Sequence, residues 1–266
     1  MSQSEPTLEG RTAVVTGSTS GIGLAIARAL AVEGAHVMLN GFGDPAEIEH
    51  LRAGLAHIHG AHIGHSSADM SKPAEILGLV ERAEDELGGL DILVNNAGIQ
   101  HVSPIASFPP EMWERVIAIN LSAPFYAIQA AIPALRRNGA GRIINIASAH
   151  GLVASADKAA YVAAKHGLIG LTKTAAIELA ADGITVNAIC PGWVLTPLVQ
   201  RQLDARAELE GRPVADVTHA LLAEKQPLAR FSSPESIAAM AVFLCGTAAS
   251  TITGAALSID GGWTAQ

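Results

Sequence analysis

Residues 12–23 read TAVVTGSTSGIG: a short β-branched, apolar run, a turn with glycines at 17, 21 and 23, and then the start of an apolar helical pattern. The run predicts a buried strand over residues 12–16 and the pattern a helix over 22–33. In such a strand–turn–helix unit Gly17 makes the tight turn, Gly21 lets backbone approach a pyrophosphate, and Gly23 permits close helix–strand packing. The helix N-terminus, with Thr19, Ser20 and Ile22 in the turn, favours an anion. The spacing is G-x-x-x-G-x-G rather than the general G-x-G-x-x-G fingerprint. Glycine turns also arise for structural reasons alone, so it is the position between strand and helix that points to a phosphate site.

Outward from this unit, short apolar runs alternate with longer segments of helical period. Strands are predicted over residues 35–39, 61–65, 91–94, 142–147, 184–189 and 255–259, and helices over 45–59, 73–87, 110–137, 160–181 and 234–244. The alternation is that of βαβ units and predicts an α/β fold, a single-domain Rossmann-type doubly wound sheet of about seven parallel strands flanked by helices. With 266 residues, 49% hydrophobic and 16% charged, the chain has material for one large core, and composition excludes disorder or a disulfide-stapled miniprotein. No composition break divides residues 1–266, which read as one catalytic domain.

A balance of 17 Lys+Arg against 25 Asp+Glu has the wrong sign for a nucleic-acid partner. Cys190 and Cys245 lack metal-ligand spacing and read as buried free thiols of a reducing compartment; whether a structural metal ion binds at the C-terminus stays open. The first eleven residues contain no apolar run, so no signal peptide is expected. Residues 236–259 carry no charge until Asp260 but are broken by Gly246, Ser250 and Gly254, and read as helix, turn and strand rather than a membrane span. A cytoplasmic protein with no membrane partner is the expectation.

Two regions hold alternatives open. After the second strand the sequence runs LNGFGD, without the acid that usually meets the ribose. No Lys or Arg occurs between Arg28 and Arg52 to meet a 2′-phosphate, which favours NAD over NADP. Phe42 and Asp44 either reach the adenosine or make the turn, and Asp69 and Met70 either reach the adenine or lead into the next helix. Residues 196–227, richer in charge than their surroundings, form either a substrate lid at the carboxyl end of a strand or a peripheral helical pair.

The most specific constellation lies further on: Asn96-Ala97-Gly98 after the fourth strand, Asn120 in the long helix, Ser148 after the fifth strand, Tyr161-x-x-x-Lys165, and Pro191-Gly192-Trp193-Val194-Leu195-Thr196 after the sixth. Tyr161 and Lys165 share one helical face. A free tyrosine is a poor base at neutral pH, and an ammonium one turn away should lower its pKa. This set, in this order, resembles the short-chain dehydrogenase/reductase family from about Gly10 to the C-terminus. The resemblance implies Tyr161 as general acid/base, Lys165 tuning it and bonding the nicotinamide ribose, Ser148 polarising the substrate oxygen, and Asn120 holding a relay water. It further implies NAD contacts from Gly17, Thr19, Ser20, Gly21, Ile22, Gly23, Phe42, Asp69, Met70, Asn96, Ala97, Gly98, Tyr161, Lys165, Pro191, Gly192, Val194 and Thr196, and a homotetramer. Alanine-rich, low-charge helices over 110–137 and 160–181 suit faces buried between subunits.

Within the family, residues 39–43, 98–101, 146–155 and 261–263 resemble the branch that interconverts (R)-3-hydroxybutyrate and acetoacetate. That resemblance implies Gln100, His150, Lys158 and Gln202 around a carboxylate, with Trp193 and Trp263 lining a small pocket beside Ser148 and Tyr161. It leads one to expect asparagine where this chain has Asp157. Lys158, three residues before Tyr161, independently suits a short anionic substrate. Taken singly, Lys158 also reads as a solvated ion pair with Asp157 and His150 as a loop histidine. The other readings are an NAD(P)-dependent 3-oxoacyl or ketone reductase, and a non-catalytic NAD(H)-sensing protein.

Overall fold

A computed structural model describes residues 7–58 and 60–265. Within them seven strands run β1 (Thr12–Val15), β2 (His36–Asn40), β3 (Ile63–Ser66), β4 (Ile92–Asn95), β5 (Arg142–Ile146), β6 (Thr185–Pro191) and β7 (Ala256–Ile259). They form one parallel sheet of seven strands, as the alternating runs predict, in the order β3-β2-β1-β4-β5-β6-β7. After β3 the chain returns from the sheet edge to place β4 beside β1. At that switch point a crevice opens beyond the carboxyl ends of the strands.

Strand side chains alternate between two cores, because successive residues face opposite sides of a sheet. Val15, Leu39 and Val94 pack with the helices α1 (Gly21–Val32), α2 (Pro45–Ala56) and α9 (Pro234–Cys245). Val14, Met38 and Leu93 face the helices α3 (Pro73–Leu87), α5 (Ala123–Asn138) and α6 (Ala159–Leu179). With both faces covered, β1, β4 and β5 are buried along their whole length, and all three are rich in β-branched apolar residues or leucine.

Two helix expectations are corrected, and the segment after β6 is resolved into helices. The helix expected over 110–137 is α4 (Pro110–Ile117), a π turn (Ala118–Ser122) and α5. Pro124 has no N–H, so the Asn120 carbonyl lacks its usual i+4 donor, and the ladder widens at that point. The second helix ends at Ala56, not at residue 59, which lies outside the described residues together with residues 1–6 of the segment read as lacking a signal peptide. Residues 196–227 hold two helices, α7 (Pro197–Glu210) and α8 (Val214–Lys225), which share their own apolar cluster of Leu203, Ala207 and Val217.

The continuous run Pro110–Asn138 is long and apolar enough to cross a membrane by length and composition. It carries the fully buried Asn120 and packs along the protein's interior through Ala123, Ala127, Ile128, Ala131, Ala134 and Leu135. These are the marks of a core helix.

Candidate active site

One cleft of about 760 Å³ runs along the carboxyl ends of the strands, and the glycine turn, Ser148, Tyr161, Lys165 and both Trp193 and Trp263 line it. At its nucleotide end the turn is braced by polar side chains. The Asn96 amide donates to the carbonyls of Thr16 and Gly17, each at 2.9 Å, while Asn40 Oδ1 accepts from the Gly17 N–H at 3.1 Å. Asn96 therefore acts first as a strut that shapes the turn. A methyl group on Gly23 would lie 2.4 Å from both the Asn96 amide nitrogen and the Gly17 carbonyl, and Gly17 itself sits at φ +62° against Ala97. Ser20, at the head of α1, makes no side-chain cap, which leaves that N-terminus open toward the cleft. This cradle fits a diphosphate.

Contacts decide one of the open alternatives. Asp44 accepts from the N–H groups of Ala46 and Glu47 and so caps α2, lying outside the cleft lining. Phe42 is 67% exposed at the cleft's edge. Asp69 lines the cleft, but its carboxylate accepts from the Ser71 N–H at 2.9 Å and hydroxyl at 2.7 Å, and these bonds hold it below the usual carboxylate range. Met70, Ala97, Gly98, Ile22, Pro191, Gly192 and Val194 also border the cleft. Thr196 does too, its hydroxyl capping α7 and its methyl group beside Gly21.

At the reacting end Ser148 Oγ accepts from the His150 N–H at 3.1 Å, so its own O–H remains available to donate. Lys165 is buried; its Nζ donates to the Ile146 carbonyl at 2.7 Å and lies 5.6 Å from the Tyr161 ring centre. Burial lowers the Lys165 ammonium to about 8. Burial also raises the Tyr161 phenol, with Ser148 pulling the other way, so the expectation that Lys165 lowers it is not met in the protein alone. The physical reason is that desolvation penalises the charged form of both groups. Asn120 is satisfied by Ile99, accepting from its N–H at 3.1 Å and donating to its carbonyl at 2.8 Å. Its side chain thus ties the π turn to the strand-end loop.

Beyond Tyr161 the wall is aromatic. Trp193 and Trp263 stack at 5.9 Å, His150 meets Trp263 edge-on at 5.0 Å, and Lys158 Nζ sits 5.1 Å over Trp193. His150 Nε2 is 2.9 Å from Ser155 Oγ, and burial, helped by Lys158, depresses the imidazole to about 4. Burial lowers Lys158 as well, opposed by Glu224 of α8. Among the described residues no ion pair joins Lys158 to Asp157, so the solvated-pair alternative is set aside. Asp157 instead occupies a left-handed φ of +63°, which Asp and Asn tolerate, and its carbonyl accepts from the Ser103 N–H.

The structure does not gather every expected residue. Gln100 and Lys158 line the cleft, but Gln202 is exposed on α7 outside its lining, where Arg201 lies instead. The sequence reading missed Arg115 and Arg201 as cleft cations, Asn40 as a brace, and Gln226, which is fully buried behind Trp193. Only the charge of the arginines was visible in the sequence. No group of three or more His, Cys, Asp or Glu stands ready for a metal among the described residues.

A nucleotide cradle at the switch point of a parallel sheet, with Ser148, Tyr161 and Lys165 meeting at its inner end, defines a dinucleotide-dependent oxidoreductase architecture. The chain belongs to the short-chain dehydrogenase/reductase family: a family model described as enoyl-(acyl carrier protein) reductase matches residues 17–264. It is 55% identical to the D-beta-hydroxybutyrate dehydrogenase of Cupriavidus necator, over 97% of this chain and 100% of that one. It is 54% identical to the D-beta-hydroxybutyrate dehydrogenase of Rhizobium meliloti, over 96% and 99%. The crystal structure of L-sorbose reductase from Gluconobacter frateurii, complexed with NADPH and L-sorbose, matches with a TM-score of 0.94 at 32% identity, covering 99% of this chain and 100% of that one.

Proposed function

We propose that this protein is an NAD-dependent dehydrogenase that oxidises (R)-3-hydroxybutyrate to acetoacetate and catalyses the reverse. The single observation that carries the substrate is the cluster beyond Tyr161, in which half-buried Lys158 lies over Trp193 and buried His150 is wedged between Tyr161 and Trp263. A short acid with one carboxylate suits it; a neutral sugar or ketone gives the Lys158 ammonium nothing to pair with. The two dehydrogenases at 55% and 54% identity support the same substrate.

NAD, when bound, accepts the hydride. Gly17, Gly21 and the head of α1 would hold its diphosphate, with Gly23, outside the cleft lining, shaping the turn behind them, and Asp69 and Met70 border the space for its adenine. The turn at Gly41, Phe42 and Gly43 offers no cation to a 2′-phosphate, which favours NAD over NADP. Ser148 donates to the substrate oxygen and Tyr161 takes the hydroxyl proton in oxidation, returning it in reduction. Lys165 spends one N–H on Ile146, which leaves two for a ribose. Residues 196–227 act as a lid, with Thr196, Pro197, Val199 and Arg201 of its first helix on the cleft. We further assign a homotetramer, in keeping with exposed Phe125 on α5 and Ile177 on α6, and a cytoplasmic site of action without nucleic-acid or membrane partners.

The test is a nicotinamide-absorbance assay with NAD or NADP against (R)-3-hydroxybutyrate, its (S) enantiomer and the methyl ester of the (R) acid. Turnover confined to NAD and the free (R) acid is expected, reduced about 10²- to 10⁴-fold in Tyr161→Phe. Equal turnover of ester and acid removes the carboxylate anchor.

A further inference from the structure

Gln226, at the end of α8, is fully buried, and every polar atom of its side chain is engaged. Its Oε1 accepts the main-chain N–H of Trp193 in a short hydrogen bond, and its Nε2 donates to the Arg230 carbonyl at 2.7 Å. Three chain segments meet around it. A methyl group on Gly192, before Trp193, would lie 2.5 Å from Gln226 Oε1, and one on Gly261, two residues before Trp263, would lie 3.0 Å from Nε2. Both glycines make room for this amide.

The surrounding turn is drawn tight. The Gln226 carbonyl accepts from Ala229 N–H at 2.8 Å, and Ala229 stands at a left-handed φ of +45°. Leu228 N–H donates to the Gly261 carbonyl, and Ser232 N–H to the Trp193 carbonyl. Such backbone persists in a non-glycine residue only where its neighbours fix it from several sides. Trp193 is thus gripped at both main-chain ends, at its N–H by Gln226 and at its carbonyl by Ser232.

We infer that Gln226 is the positioning residue of the acid end: it fixes Trp193 against Trp263, and through that stack the seat of Lys158, while anchoring the carboxyl end of the lid. It touches neither cofactor cradle nor reacting atoms. The kinetic arm of this inference rests on the hydroxy-acid reading above; the spectroscopic arm does not.

The experiment compares native protein with Gln226→Met, of similar volume but without either hydrogen bond, and Gln226→Glu. In the Met variant the near-ultraviolet circular dichroism of the stacked indoles falls. KM for (R)-3-hydroxybutyrate rises about tenfold, the loss of roughly one to two buried hydrogen bonds, while kcat and the NAD dissociation constant stay within about threefold. A glutamate donates to Arg230 only when protonated, so KM of Gln226→Glu approaches the native value as pH falls. Native dichroism and native KM in the Met variant, or a pH-independent Glu variant, overturn the assignment. Should neither variant fold, amide exchange in the native protein decides, because a Trp193 N–H held by Gln226 exchanges slowly and one exchanging at the free-peptide rate refutes the bond. Native protein that turns over no hydroxy acid refutes the substrate, while dichroism and exchange still judge Gln226.

Discussion

The two ends of the cleft are built in different ways. At the nucleotide end the contacts are to backbone: Asn96 holds the carbonyls of Thr16 and Gly17, and Asn40 holds the Gly17 N–H while its carbonyl accepts that of Ser18. All of these residues lie at the ends of β1, β2 and β4, so the sheet itself fixes the cradle. At the acid end the groups come from the loops after β5, β6 and β7 and the head of α6, and they meet as rings and a cation: His150, Trp193, Trp263 and Lys158. A cradle made of sheet-bound backbone accommodates no side-chain change, whereas a wall of loop side chains is free to vary with substrate.

The comparison breaks most visibly at Gly23. Gly23→Ala places a methyl group 2.4 Å from the Asn96 amide and the Gly17 carbonyl, so the turn itself must move. Overpacking of about 1–3 kcal/mol then weakens NAD binding on the order of 10- to 100-fold, measurable by calorimetric titration. Gly54→Ala in α2, with open space around its Cβ position, is the control and should bind NAD as the native protein does while melting no lower. Native affinity in Gly23→Ala would remove the rigid cradle.

The same difference explains what was legible in the sequence. The seven strands, the glycine turn and the Tyr161–Lys165 pair follow from period and spacing, which are local, and the structure reproduces them with most strand and helix ends shifted by no more than a residue or two. The π turn was not readable from hydrophobic period, since Asn120 keeps its place on the helical face; the sign was Pro124, four residues on, which denies Asn120 a donor. Asp44 fitted two local environments equally well, and only three-dimensional contacts separated the cap from the ribose. Gln202 and Arg201 are one residue apart on a helix, so about 100° of rotation decides which faces the cleft. Gln226 carries no local signal, because its partners are Trp193 and the Arg230 turn.

At the acid end the effect is smaller and confined to one substrate. Lys158→Ala removes a half-buried cation that touches no part of the nucleotide cradle. KM for the free acid should rise about tenfold, the size of one charge-assisted hydrogen bond, with NAD affinity unchanged. Equal KM in the two proteins would dissociate Lys158 from the carboxylate, and a parallel loss of NAD affinity would show the two ends to be coupled rather than separate.

The finest test is the charge of His150. Its buried imidazole is depressed to about 4, with burial the first cause and the Lys158 charge the second, so it is neutral throughout the working range and presents a neutral ring to the substrate. KM for the acid should therefore show no break near the ordinary histidine value of 6.5, even though a histidine lines the pocket. Stability carries the same signature with a definite sign. Between about 4 and 6.5 the unfolded chain binds a proton at this position and the folded chain does not, so His150 makes the protein less stable as pH falls through that window. His150→Gln keeps a neutral side chain able to bond Ser155 but cannot titrate, so the fall in melting temperature between pH 6.5 and 4 should be shallower than in the native protein. A native KM that breaks near 6.5, or identical melting profiles for the two proteins, would mean that His150 titrates freely and that the aromatic wall is wetter than its packing implies.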